Sequence, residues 1–113
     1  MTKKNTRDWT TPNVVKFYMI RHIFDTEKRN GYIGSTTNLP VRKCSHQRRC
    51  RDPEIKGHDY QVYKYIRDKG GFSNFVFEII EEGIYSSSQE CDNREYELME
   101  IYNCPLNKRR QPN

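Results

Sequence analysis

At 113 residues the chain has the length of one domain, enough for a core without staples and too short for a second folded unit. An apolar share of 34% and a charged share of 31% describe a small, wet domain, while eight tyrosines, five phenylalanines and one tryptophan argue against disorder. The net charge of +5 suits a polyanionic partner, and without a long apolar run or secretory leader the expectation is an intracellular protein with no membrane partner.

Residues 1–12 are polar, contain Pro12, and read as a flexible lead-in to a domain over 13–107. Val14–Phe24 is rich in β-branched and aromatic residues and predicts a strand. Asp25–Gly31 is polar and ends in Asn30-Gly31, a reversal signal, so Tyr32–Ser35 is expected to pair back as a second strand. Asn38 as N-cap and Pro40 in the first turn predict a helix over about Leu39–Arg51, ended by Asp52-Pro53.

A second helix is expected over Asp59–Lys69, with Val62, Tyr65 and Ile66 inward and Gly70-Gly71 as its stop. Phe75–Glu81 alternates Phe75, Phe77 and Ile79 on one face and predicts a third strand. The last helix runs over about Ser88–Tyr102, with Ser87 and Glu90 as a capping box and Leu98, Ile101 and Tyr102 as its core stripe. The order β-β-α-α-β-α describes an α+β domain, followed by a basic tail over 108–113.

The positive charge is clustered. Arg42, Lys43, Arg48, Arg49 and Arg51 stand together with no acidic residue among them, and Lys3, Lys4, Arg7, Lys108, Arg109 and Arg110 crowd the two ends. Most carboxylates lie in 78–82 and 90–100, so the first helix is the candidate phosphate-contacting face. Cys44, Cys50, Cys91 and Cys104 form no C-x-x-C pair and are expected as free thiols. Cys44, His46 and Cys50 follow a C-x-H-x₃-C spacing that matches no common zinc site.

Tyr18 and Tyr32 fall on neighbouring strands, where side chains on one face approach closely. Arg42 and His46 stand four apart on the first helix and share a face that can lie beside the tyrosines. Arginine brings permanent charge for a phosphoryl oxygen, and histidine can donate, accept or relay a proton. Each pair taken alone reads more simply as ordinary packing or a solvated surface. Periodicity does not single out one carboxylate of the last helix either.

The stretch 15–20, Val-Lys-Phe-Tyr-Met-Ile, followed by Gly31-Tyr32-Ile33-Gly34-Ser35-Thr36-Thr37, resembles the two halves of the GIY-YIG nuclease signature. The second half is intact as Tyr32-Ile33-Gly34, and Lys16-Phe17-Tyr18 stands where the family shows Gly-Ile-Tyr. The family's arginine falls on Arg42 and its helical histidine or tyrosine on His46. The stretch 70–81 is similar to the one preceding the family's acidic helix, Arg94-Glu95-Tyr96 resembles the motif holding its glutamate, and Leu106-Asn107 its closing asparagine.

That resemblance covers roughly residues 14–107 and implies a three-stranded antiparallel sheet flanked by helices. It also implies a DNA endonuclease, with RNA as a second candidate substrate. Glu95 would hold one Mg²⁺ or Mn²⁺, and a tyrosine, Tyr18 rather than Tyr32, would be general base. His46 would assist the water or bind phosphate, and Asn107 would orient a backbone or phosphate group. Gly34, Ser35, Lys43, Arg48, Arg49 and Arg51 are the expected nucleic-acid contacts. A monomer or weak dimer without a small-molecule cofactor is expected, cutting with little sequence preference. Two rival readings are a decayed nucleic-acid-binding module of the same fold and a small basic interaction domain with the tyrosines as core.

Overall fold

A computed structural model describes residues 9–27 and 31–107. Lys3, Lys4, Arg7, Asn30 and the basic cluster at 108–110 lie outside them. Among the described residues the sheet has three antiparallel strands in the order β2-β1-β3, with β1 Asn13–His22, β2 Tyr32–Thr36 and β3 Phe75–Tyr85. The helices are α1 Leu39–Arg51, α2 Gln61–Asp68 and α3 Ser88–Tyr102, with short 3₁₀ turns at Phe72–Asn74 and Pro105–Asn107. The α+β class and the β-β-α-α-β-α order expected from the sequence are those observed.

The middle strand has to satisfy two cores, which is why β1 is apolar nearly throughout. Val15, Phe17 and Met19 join Ile33, Cys91, Leu98 and Met99 on the α3 side. Tyr18 and Ile20 join Tyr32, Cys50, Val62, Tyr63, Ile66 and Phe75 on the α1–α2 side. A register shift between Phe17 and Tyr18 pairs Tyr18 with Ile79 but Phe17 with Glu81, so Ile80 is an extra residue on β3. Such a bulge reverses the alternation of that strand. Below it Phe75 and Phe77 face the α1–α2 side; beyond it Glu81 faces α3.

Several ends differ from expectation. Strand β1 stops at His22, leaving Phe24 exposed, and β3 runs on past Glu81 to Tyr85 because β1 continues to pair with it. Helix α2 is shorter than 59–69, and its inward residues are Val62, Tyr63 and Ile66, with Tyr65 only half-buried. In α3 the inward stripe is Cys91, Glu95, Leu98 and Met99, while Ile101 is 64% exposed. The caps behave as expected: Asn38 Oδ1 accepts from Val41 N at 3.2 Å, and Ser87 Oγ from Glu90 N at 3.2 Å. The return bond of the α3 capping box reaches one residue further back, from Ser86 N to Glu90 Oε1.

Candidate active site

The site forms where β1, β2, α1 and α2 meet. Tyr18 pairs with Gly34 and Ile20 with Tyr32, so the two tyrosines share a sheet face but stand diagonally, one residue pair apart. The Tyr18 ring lies across Gly34: a Cβ there would come within 2.5 Å of Tyr18 Cζ and collide with the hydroxyl. Gly34 therefore admits the phenol and lies buried beneath it, away from the surface where a nucleic-acid contact was expected.

Helix α1 carries Arg42 and His46 to this phenol, as their four-residue spacing requires. Arg42 Nε donates to Tyr18 Oη at 3.2 Å, and His46 Nε2 lies 2.7 Å from the same oxygen. The other ring nitrogen, His46 Nδ1, lies 2.6 Å from the hydroxyl of Tyr63 on α2. Tyr32 packs edge-on against the imidazole with centroids 5.6 Å apart. Tyr18 has no exposed surface and His46 almost none. Both ring nitrogens of His46 are engaged inside the core, by Tyr18 and Tyr63, and neither is presented at the surface where water or a phosphate was expected to meet it.

Burial sets the protonation states. It lowers the His46 pKa to about 3, with Arg42 and Arg49 pushing the same way, so the imidazole is neutral at ordinary pH. Burial also raises Tyr18 above the usual phenol value; Arg42 pulls it back, and Tyr32 and Glu95 push it further up. Burial works against the charge of Arg42, but Tyr18 beside it, together with Tyr32 and Tyr63, outweighs this and the arginine pKa is raised. Tyr63 is also raised, first by burial, with nearby Arg49 pulling the other way.

The neutral His46 has a consequence for stability. Its folded pKa lies below its unfolded value of 6.5, so the unfolded chain binds the extra proton between the two. The stability is intact above pH 6.5 and drains away as pH falls toward about 3. At pH 5 the loss should approach roughly 2 kcal/mol, from ~1.4 kcal/mol per unit. Urea melts at pH 7.5 and pH 5 check this, and His46→Gln should flatten the difference.

Glu95 comes from the other side of the sheet. It is 2% exposed in the α3 stripe between Cys91 and Leu98. Its neighbour Arg94 sets its rotation by a two-pronged bond to Glu81 on β3, 2.7 and 2.6 Å, and a third bond to Glu97 at 2.7 Å. From there the Glu95 carboxylate acts on Tyr18 through space, resisting its ionisation. Glu90, Glu97 and Glu100 are exposed, as expected.

Asn107 is buried and uses both ends of its amide on one backbone unit: Oδ1 accepts from Ile33 N at 2.7 Å, and Nδ2 donates to Ile33 O at 2.9 Å. It clamps the outer edge of β2, as a third backbone partner would, and so steadies Tyr32 and Gly34. The backbone role fits; with both amide ends committed, a phosphate role does not. Ser35 is half-buried and, by strand alternation, faces the α3 side.

Of the basic residues on α1, Arg48 and Arg51 are exposed and Lys43 lies 5.5 Å above the Phe77 ring. Arg49 is less exposed than expected: it is half-buried, near enough to Tyr63 for its charge to oppose the rise of that phenol's pKa. Lys16, on the Tyr18 face, pairs with Glu82 at 3.4 Å. Cys44, Cys50, Cys91 and Cys104 are free thiols. No helix among the described residues is long and apolar enough to cross a membrane.

A family model described as the GIY-YIG catalytic domain matches residues 15–109, most of the chain. The chain belongs to the GIY-YIG family. No curated protein and no solved structure matches it. The family is one of nucleases, so a nucleic-acid substrate follows, and its members generally depend on a divalent metal. Among the described residues no three His, Cys, Asp or Glu side chains gather as a metal cage. The donor set fits a hard cation anchored by one carboxylate, Glu95, with the remaining ligands being water and phosphate oxygens; it does not fit a caged ion.

Proposed function

We propose that this GIY-YIG domain is a metal-dependent endonuclease that hydrolyses DNA phosphodiesters, with Tyr18 as general base. The observation that carries this reading is the Tyr18 hydroxyl held between Arg42 Nε and His46 Nε2 at 3.2 and 2.7 Å. A phenol ordinarily titrates near ~10 and becomes a base only where positive charge or N–H donors hold its anion. Tyr18 has both. Because no solvent reaches it in this structure, its nucleophilic water has to enter with the substrate.

Tyr32, retaining 9% exposure beside the same imidazole, lines the way in and steadies that water. Arg42, half-buried at the rim, faces the phosphoryl oxygens with the charge it does not spend on Tyr18. Exposed Arg48, Arg51 and Lys43 hold the nucleic-acid backbone outside the site. A divalent cation bound at Glu95, Mg²⁺ or Mn²⁺, would supply charge for the leaving oxygen and reverse the field that Glu95 alone exerts on Tyr18.

Supercoiled plasmid incubated with the purified chain and Mg²⁺ tests the reading. Nicked or linear product is expected, lost with chelator and restored by Mg²⁺ or Mn²⁺. Binding that weakens steeply with salt but yields no cut in any metal would favour the decayed binding module.

A further inference from the structure

Lys16 and Phe17 lead into Tyr18, and strand alternation sends the two to opposite faces of the sheet. Phe17 is fully buried on the α3 side. Lys16 falls on the face of Tyr18, two residues and so about 7 Å away along β1. Thr36 is its partner on β2 and Glu82 its partner on β3. The bulge selects that second partner. Because Ile80 is the extra residue, Glu81 turns to Arg94 on the α3 side and Glu82 turns to Lys16, their charged groups 3.4 Å apart.

This end of the face is open. At the other end Val62, Tyr63 and Ile66 of α2 pack over Ile20 and Phe75. Past Tyr18 no such layer follows among the described residues: Ile79, Val14 and Ile84 are 45%, 49% and 72% exposed. Among the described strand residues Lys16 is the one lysine or arginine on this face, since Arg21 pairs with Glu78 on the other. The side chains of Lys16 and Glu82 are 34% and 52% exposed. So wet a pair holds weakly and is screened by salt, and a phosphate can displace the carboxylate. Nearby cations are placed differently: Arg42 gives its Nε to the phenol, and Lys43 stands over Phe77. Lys16 offers charge from the sheet floor, at a distance from Tyr18 comparable to the step between consecutive phosphates of one strand.

We propose that Lys16 is a substrate-binding residue: its ammonium leaves Glu82 for a phosphate next to the one being cut, and Glu82 is the built-in competitor that weakens this hold. The proposal rests on nucleic acid being cut at Tyr18. A phosphate beside the scissile one keeps its charge throughout the reaction, so the contact adds affinity and leaves the chemical step alone.

Titration of a fluorescent duplex in chelator reads the contact without cleavage. Lys16→Gln should weaken binding about five- to tenfold at 0.1 M salt and lower the slope of log affinity against log salt by about one. Lys16→Arg should stay within about twofold of wild type. Glu82→Gln should tighten binding about two- to threefold, and the gain should vanish in the double variant with Lys16→Gln. If Lys16 only ties β1 to β3 through Glu82, both single variants lower the melting temperature alike and keep wild-type affinity and salt slope, which overturns the proposal. A gain from Glu82→Gln that persists without Lys16 overturns the competitor role. On plasmid with Mg²⁺, the KM of Lys16→Gln should rise by the same factor while kcat stays within about twofold. A chain whose affinity depends on Lys16 but which never nicks plasmid refutes the endonuclease reading and supports the contact; nicking by Lys16→Gln at wild-type KM does the reverse.

Discussion

Glu95→Gln is expected to abolish cleavage, with a loss of at least about 10³-fold, while duplex binding stays within about threefold of wild type. The glutamine fills the same volume, so the α3 stripe of Cys91, Leu98 and Met99 keeps its packing, and a buried charge is removed rather than created. Melting temperature should hold or rise for that reason. What disappears is the ionised oxygen pair that would anchor a cation. No second carboxylate of α3 can substitute, because Glu90, Asp92, Glu97 and Glu100 are exposed to solvent and Arg94 fixes the helix rotation through Glu81. Single-turnover cleavage with Mg²⁺, beside a binding titration in chelator, reads both halves. A variant cutting at a tenth of the wild-type rate or faster removes Glu95 from the reaction.

That carboxylate also shows where sequence reasoning reaches and where it stops. The strands and helices are legible because each carries a local physical signal: Asn38 and Pro40 open α1, Ser87 opens α3, and the apolar run of β1 announces a strand covered on both faces. Strand β3 is readable only to Glu81, since the bulge at Ile80 breaks the alternation that would have carried it to Tyr85. Tyr18, Arg42 and His46 come together because hairpin and helix spacing bring them together, and the family signature names them. Glu95 is legible only through that signature, although a glutamate three before Leu98 and four after Cys91 sits on the stripe that proves buried. Tyr63 escapes both. Reading α2 as Val62, Tyr65 and Ile66 turns Tyr63 aside, and its partner His46 lies on another helix, a contact that no spacing encodes. Arg49 escapes similarly, since a charge run looks solvated until Tyr63 is found beneath it.

Tyr18→Phe is expected to lower kcat by about 10²–10⁴-fold, the usual worth of a general base, and to change the pH profile. An imidazole, a phenol or a metal-bound water could each give a rate that rises with pH. With its pKa near 3, His46 stays neutral over pH 6–9 and contributes no slope there. With Tyr18 as the proposed base, the rise belongs to its phenol, which burial holds above the ordinary value, so the wild-type rate should still be climbing at pH 9. Tyr18→Phe should flatten that climb, whereas Tyr32→Phe should cost about tenfold and keep it. The price of Tyr18→Phe in stability is separate, since His46 Nε2 and Arg42 Nε both lose the oxygen they meet, about 1–3 kcal/mol by the cost of unsatisfied buried groups. Measuring kcat from pH 6 to 9 at a temperature where both variants are folded separates the two effects. A slope that survives in Tyr18→Phe and vanishes in Tyr32→Phe would transfer the base to Tyr32 and leave Tyr18 as the strut that holds Arg42 and His46 in place.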